Sequence, residues 1–246
     1  MSICQLTDRD IKIILYVHEN KVATTKQILR DVFKVNSGTA RQRLKLLRLD
    51  GYLDYIGRDE DGDKSIIYSI SKRSLNLLSR LYPELVFLRI HRSSSITHDL
   101  RLLDIKMSLT SRSLVSGYWS ENQLKSSQVA LDDMRLAPYR SMNTDAVLRL
   151  ENGQGHKLYC ALEYEASLKS QAEYLSKMST IYSTELIQMV LYVCRTPEIE
   201  SRLKKSELEY VQKGVLKIYF TQLDKVTNEN SKVTFISQES NFLEVY

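Results

Sequence analysis

The segment "LYCALEYEASLK" (158–169) places Glu163 and Glu165 among residues of the kind a sheet buries. Side chains alternate along a strand, so Leu158, Cys160 and Leu162 share one face. Tyr159, Ala161, Glu163 and Glu165 share the other. An unpaired carboxylate is costly in such surroundings. The preceding run "TDAVLRLE" carries Asp145 near its start, and the turn "NGQGH" joins the two runs into an expected hairpin. Antiparallel pairing across that turn sets the start of the first strand beside the end of the second. Asp145, Glu163 and Glu165 are therefore expected to converge at one end of a sheet. Gathered hard oxygen ligands suit Mg²⁺ or Mn²⁺, which polarises a phosphate and generates a hydroxide nucleophile. Glu165 is expected to add a ligand or accept a proton. Lys169, near the start of the next helix, is expected to reach back and steady the phosphate. A purely structural reading competes: acids at strand ends favour the N-terminus of a following helix, as Glu165 would, and Asp145 would be a turn residue. Glu163 fits that reading least, because Ala161 and Leu162 imply burial around it.

The elements that must position these residues have a readable order. "THDLRLLDIKMSLTSRSL" predicts an amphipathic helix with Leu100, Leu103, Met107 and Leu114 inward, and "GYWSENQLKSS" a first strand. The hairpin follows, then the long helix "SLKSQAEYLSKMSTIYSTE" and the apolar strand "LIQMVLYVC". A helix with Thr196 as N-cap and Pro197 in its first turn leads to the strand "GVLKIYFTQL". The predicted order is α-β-β-β-α-β-α-β, a mixed sheet between helices.

The N-terminal part reads differently. Thr7 with Asp10, and Thr24 with Gln27, predict two capped helices, and "TARQRLKLLRLDG" predicts a third closed by Gly51. The runs "YLDYIG" and "SIIYSIS" follow, then a helix whose apolar stripe is Leu75, Leu78 and Leu81. Three helices and a two-stranded hairpin form the order of a winged helix-turn-helix, whose third helix enters the major groove of double-stranded DNA. Arg41, Lys45 and Arg48 lie at i, i+4, i+7 on that helix, with Thr39 and Gln42 near its start, and these five are the expected DNA contacts. Residues 1–58 hold eleven basic and six acidic side chains, which is the whole +5 excess of the chain. A basic surface so localised suits nucleic acid joined to a neutral domain. Asp59, Glu60, Asp61 and Asp63 in the hairpin turn oppose it, since phosphate would repel them.

"RIHRSSSITHDL" marks a boundary, giving a winged helix-turn-helix at 1–88, a linker at 89–96 and a second domain at 97–246. No apolar run reaches the roughly 20 residues needed to span a bilayer, and "MSICQLTDRD" lacks a signal-peptide layout. Three widely spaced cysteines favour reduced thiols and a cytoplasmic location over disulfides or zinc. No GxSxG, HExxH, P-loop or GxGxxG is present. Four dispersed histidines do not supply the cluster that a tyrosine relaxase needs.

An acid on one strand and an E-x-(acid or Lys) pair closing the next, within αβββαβ, resemble the PD-(D/E)xK nuclease superfamily. "NTDAV" and "ALEYEASLK" stand where its motif would. The resemblance implies a restriction-endonuclease-like fold, with Asp145 and Glu163 as metal ligands and the Tyr164 carbonyl as a further one. Glu165 takes the place of the usual lysine, Lys169 is a substitute on the next helix, and Thr144 replaces the motif's proline. The whole chain is also similar to the replication-relaxation family of plasmids and integrated mobile elements. That resemblance implies a role in DNA processing or its control on a mobile element, and the expected function is that of a sequence-specific DNA-binding protein with a metal-dependent endonuclease-like domain. The alternative is a non-catalytic transcriptional or replication regulator whose nuclease-like domain mediates dimerisation or binds DNA-processing proteins.

Overall fold

A computed structural model describes residues 5–34, 38–60, 64–84, 95–211, 216–228 and 232–246. The chain is mixed α+β and divides into two compact units, residues 1–104 with 125–132 and residues 105–124 with 133–246. The expected linker at 89–96 lies mostly outside the described residues.

In the first unit, α1 (Asp8–Glu19) opens with a capping box: Thr7 accepts from the Asp10 N–H, and Asp10 accepts from the Thr7 N–H at 2.7 Å. Thr24 and Gln27 make the same reciprocal pair at α2 (Thr25–Ile28). This helix widens into a π turn over Leu29–Phe33 and stops at Lys34, whose φ is 56°. α3 (Gly38–Leu49) ends at Gly51, where a φ of 72° turns the chain so that the Tyr52 N–H returns to the Leu47 carbonyl at 2.8 Å. β2 (Leu53–Arg58) and β3 (Ile66–Ile70) form the expected hairpin. A two-residue strand that the sequence did not announce, β1 (Ala23–Thr24), adds to the other side of β3. Ile13, Ile14, Val17, Ala40, Leu44, Leu47 and Leu78 form the core. α4 (Lys72–Leu81) is rotated from its expected face: Leu81 is 49% exposed, while Ser74 is buried one turn before Leu78. The Ser74 hydroxyl donates to the Tyr52 carbonyl at 2.6 Å, and this bond turns Ser74 inward.

α5 (Ile96–Thr110) contributes to both units, and its expected single stripe is two. Leu100 and Leu103 are buried in the first unit, Ile105 and Leu109 in the second, with Met107 and Leu114 half-buried.

The second unit is built on a seven-stranded mixed sheet. Its strands are β4 (Val115–Ser120), β5 (Ala146–Glu151), β6 (Lys157–Glu165), β7 (Met189–Cys194), β8 (Ile218–Gln222), β9 (Val233–Ile236) and β10 (Phe242–Val245). They lie in the order β10-β9-β8-β7-β6-β5-β4. β4, β5 and β6 pair antiparallel; β6, β7 and β8 run parallel; β9 and β10 return antiparallel. Two crossover helices, α9 (Gln171–Ser183) and α10 (Pro197–Glu207), make the parallel connections. As far as β8 the predicted order holds except between β4 and β5. The expected first strand stops at Ser120, because Ser120 and Gln123 form a capping box that starts a helix instead. α6 (Glu121–Ser126), α7 (Gln128–Asp132), a 3₁₀ turn at Met134–Leu136 and α8 (Ala137–Ser141) then separate β4 from β5. α11 (Leu223–Thr227), β9 and β10 follow β8.

The sheet curls. The Leu114 N–H and the Ser113 hydroxyl both donate to the Tyr246 carbonyl, at 3.2 and 2.9 Å, while the Leu114 carbonyl accepts from the Glu151 N–H at 2.9 Å. The two edges of the sheet therefore meet at one end.

Candidate functional site

The β5–β6 register pairs Ala146 with Leu162, which sets Asp145 beside Glu163 at the carboxyl end of β6. Asp145 is fixed there by the Tyr164 N–H, which donates to its Oδ2 at 2.8 Å. The Glu121 N–H donates to the Asp145 carbonyl at 2.9 Å, so β4 ends against the same point. The Thr144 hydroxyl lies 3.1 Å from the Leu162 carbonyl and 3.2 Å from that of Ala146. Thr144 thus ties β5 to β6 at the level of the acids.

Glu163 and Glu165 are both buried, and each faces its own ammonium. Lys169 Nζ donates to Glu165 Oε2 at 2.8 Å. α9 begins only at Gln171, with Ser170 as its cap, so Lys169 lies in the loop between β6 and α9 rather than on the helix. Its backbone N–H donates to the Tyr174 hydroxyl at 3.2 Å, which holds the loop down. Lys177 approaches from α9, with Nζ 2.9 Å from Glu163 Oε1. That contact is an ion pair, and Glu163 Oε1 has no hydrogen-bond partner among the described residues.

Electrostatics follow from this packing. Burial pushes the Glu163 carboxyl up to about 7; Lys177 acts to lower it, and the Asp145 charge raises it further. Burial works against the Lys169 ammonium, yet Glu165 hydrogen-bonds it and holds its pKa above the ordinary value. Tyr192, paired with Glu163 across β6 and β7, is buried beside all three acids and its hydroxyl is pushed well up.

Asp145, Glu163, Glu165 and Lys169 are thus brought to one end of the sheet, with Lys177 as a member the sequence reading missed. Its signal was faint: a lysine one residue before Met178, at the margin of the buried stripe Tyr174, Met178 and Ile181. As a metal centre the site is smaller than expected. Among the described residues no group of three or more Asp, Glu, His or Cys side chains is gathered to hold a metal, and Glu165 is turned to Lys169. Two carboxylates remain, Asp145 and Glu163. Their hard oxygens, and the buried Glu163 Oε1 without a hydrogen bond, fit a Mg²⁺-type cation, which commonly takes one or two carboxylates and completes its shell with water and phosphate.

In the first unit, Thr39, Arg41, Gln42 and Lys45 are exposed on α3, and the half-buried Arg48 guanidinium lies 6.0 Å from the centre of the Tyr55 ring on β2. Arg43, on the other side of the helix, is committed to structure: it clasps Asp10 through Nε at 2.8 Å and Nη2 at 2.5 Å. In the hairpin turn Asp59 is buried, with its N–H donating to the Ser65 carbonyl at 3.0 Å, whereas Glu60 is exposed. Asp61 and Asp63 lie outside the described residues, as do Cys4 and His91.

No protein-family model, curated protein or solved structure matches this chain. Cys160 and Cys194 are free and buried, and burial pushes both thiols up, away from thiolate chemistry. No helix among the described residues is long and apolar enough to cross a membrane.

Proposed function

We propose that the chain is a DNA-binding protein whose first unit is a winged helix-turn-helix and whose second is a PD-(D/E)xK-like, metal-dependent endonuclease domain. The observation that carries the catalytic half is the pairing of Asp145 with Glu163 at the carboxyl end of β6, flanked by two lysines. The carboxyl ends of parallel strands are where open α/β sheets place their chemistry. Asp145, oriented by the Tyr164 N–H, and Glu163, with an oxygen lacking a hydrogen bond, would hold Mg²⁺ or Mn²⁺. When bound, that ion would polarise the phosphate and supply hydroxide at neutral pH. Lys169 keeps its charge through Glu165 and, half-exposed, is placed to pair with a phosphate oxygen. Glu165 orients that ammonium and serves as proton acceptor.

Binding falls to α3. Arg41 and Lys45 neutralise phosphates, while Gln42 and Thr39 stand where base edges would be met. The resemblance to replication-relaxation proteins supports a role in DNA processing or its control on a plasmid or mobile element. A second reading is favoured by the two ion pairs: the acids already have ammonium partners, as a non-catalytic regulator that dimerises or recruits DNA-processing proteins would allow.

Incubation of supercoiled plasmid with the protein and Mg²⁺ or Mn²⁺ separates the two. Nicking lost in Asp145→Ala and Glu163→Ala supports the nuclease. Binding without cleavage under either metal supports the regulator, and nicking unchanged in both variants rejects the site.

A further inference from the structure

We infer that Lys177 is an exchangeable counter-ion of the site, occupying Glu163 until a divalent cation displaces it. The inference rests on the metal-dependent reading above and adds a competitor built into the fold.

The geometry of one contact carries it. Lys177 Nζ sits 2.9 Å from Glu163 Oε1, the oxygen most available to a cation, because that atom is buried and accepts no hydrogen bond. Lys169, by contrast, donates a directed hydrogen bond to Glu165. A permanent buried ion pair needs good geometry and hydrogen bonds to offset the desolvation of its charges. The Glu163–Lys177 contact lacks the second. Lys177 is also weakly anchored: among the described residues it makes one hydrogen bond, to the Met142 carbonyl at 3.4 Å. Its side chain is 28% exposed, so the ammonium can swing into water without moving the helix.

Charge explains the exchange. When Glu163 is ionised, one ammonium neutralises one carboxylate, while Asp145 and Glu163 together present two. A divalent cation balances both but must take the place of Lys177. The lysine therefore lowers the affinity of the empty site for metal while preventing an uncompensated buried charge. Once displaced, its ammonium is left beside the bound cation, where only an anion such as a phosphate would favour it. Metal and nucleic-acid binding then become mutually reinforcing.

Calorimetric titration of the full chain with Mn²⁺ tests the inference without DNA or turnover. Lys177→Met should bind Mn²⁺ about tenfold tighter than the parent, or more. Lys177→Arg, which keeps the charge and the fold but grips carboxylate through a fork, should bind it more weakly. Mn²⁺ affinity equal to the parent's in both variants overturns the counter-ion role while leaving the metal site standing. Absence of Mn²⁺ binding in the parent and in Lys177→Met removes the metal reading and this inference together.

Discussion

Glu163 carries a proton more readily in the folded chain than in an unfolded one, because burial and the neighbouring Asp145 outweigh Lys177. With its folded pKa near 7 and an ordinary value of 4.5, its contribution to stability is greatest below about pH 4.5. It is lost as the pH rises through 7. Glu163→Gln should therefore stabilise the protein by about 1–3 kcal/mol at pH 8 and be near neutral at pH 4.5. Denaturant unfolding of both chains across that range checks it; a variant less stable at pH 8 would mean that the Lys177 pair outweighs the burial. The acids were legible because two of them lie on one strand and the third across a tight turn, where alternation and register are local rules. Lys177 was not, since it meets Glu163 across a helix–sheet contact fourteen residues away, and no spacing rule reports such a meeting.

Helix α3 turns its charged stripe to solvent, and Arg41, Gln42 and Lys45 have no hydrogen bond or ion pair among the described residues to spend it on. If about four phosphates are neutralised, the slope of log K against log salt should be near −3.6. The Arg41→Ala, Lys45→Ala double variant should flatten it by about 1.8 and weaken binding alike on any sequence. Fluorescence anisotropy at several salt concentrations reads this directly, and an unchanged slope would dismiss the α3 interface. At this scale the sequence spoke clearly wherever a cap did: Thr7–Asp10, Thr24–Gln27 and Gly51 all act at the ends they mark. The same signal at Ser120–Gln123 went unread because the aromatic run before it suggested a longer strand. The short helices between β4 and β5 were missed with it. Short strands such as β1 have almost no pattern of their own; tertiary pairing creates them.

The whole molecule joins two kinds of architecture, a small helical unit with a three-stranded sheet and a curled seven-stranded sheet with crossover helices. The alternation of strand and helix from β6 to β8 made the parallel centre of that sheet readable in advance. Its curl was not, because it depends on the backbone of Leu114 meeting Tyr246, a contact between residues 132 positions apart.

That closure has a consequence for how the protein behaves in a crowd. An open sheet presents outer backbone groups that can template a neighbouring chain. Here the two outermost strands come together at one end, which shortens the available template. Val245, fully buried on β10, is the rivet of that seam. Val245→Asp would force a charge into the interior and lift β10 away, uncovering β9 and stranding the Leu114 N–H. Light scattering at rising concentration should then grow in the variant and stay flat in the parent, and equal traces would show that the seam does not guard against self-templating. A hydrogen bond between two distant stretches of backbone would thus do for this fold what charged or proline-blunted rims do for open sheets: keep each copy to itself.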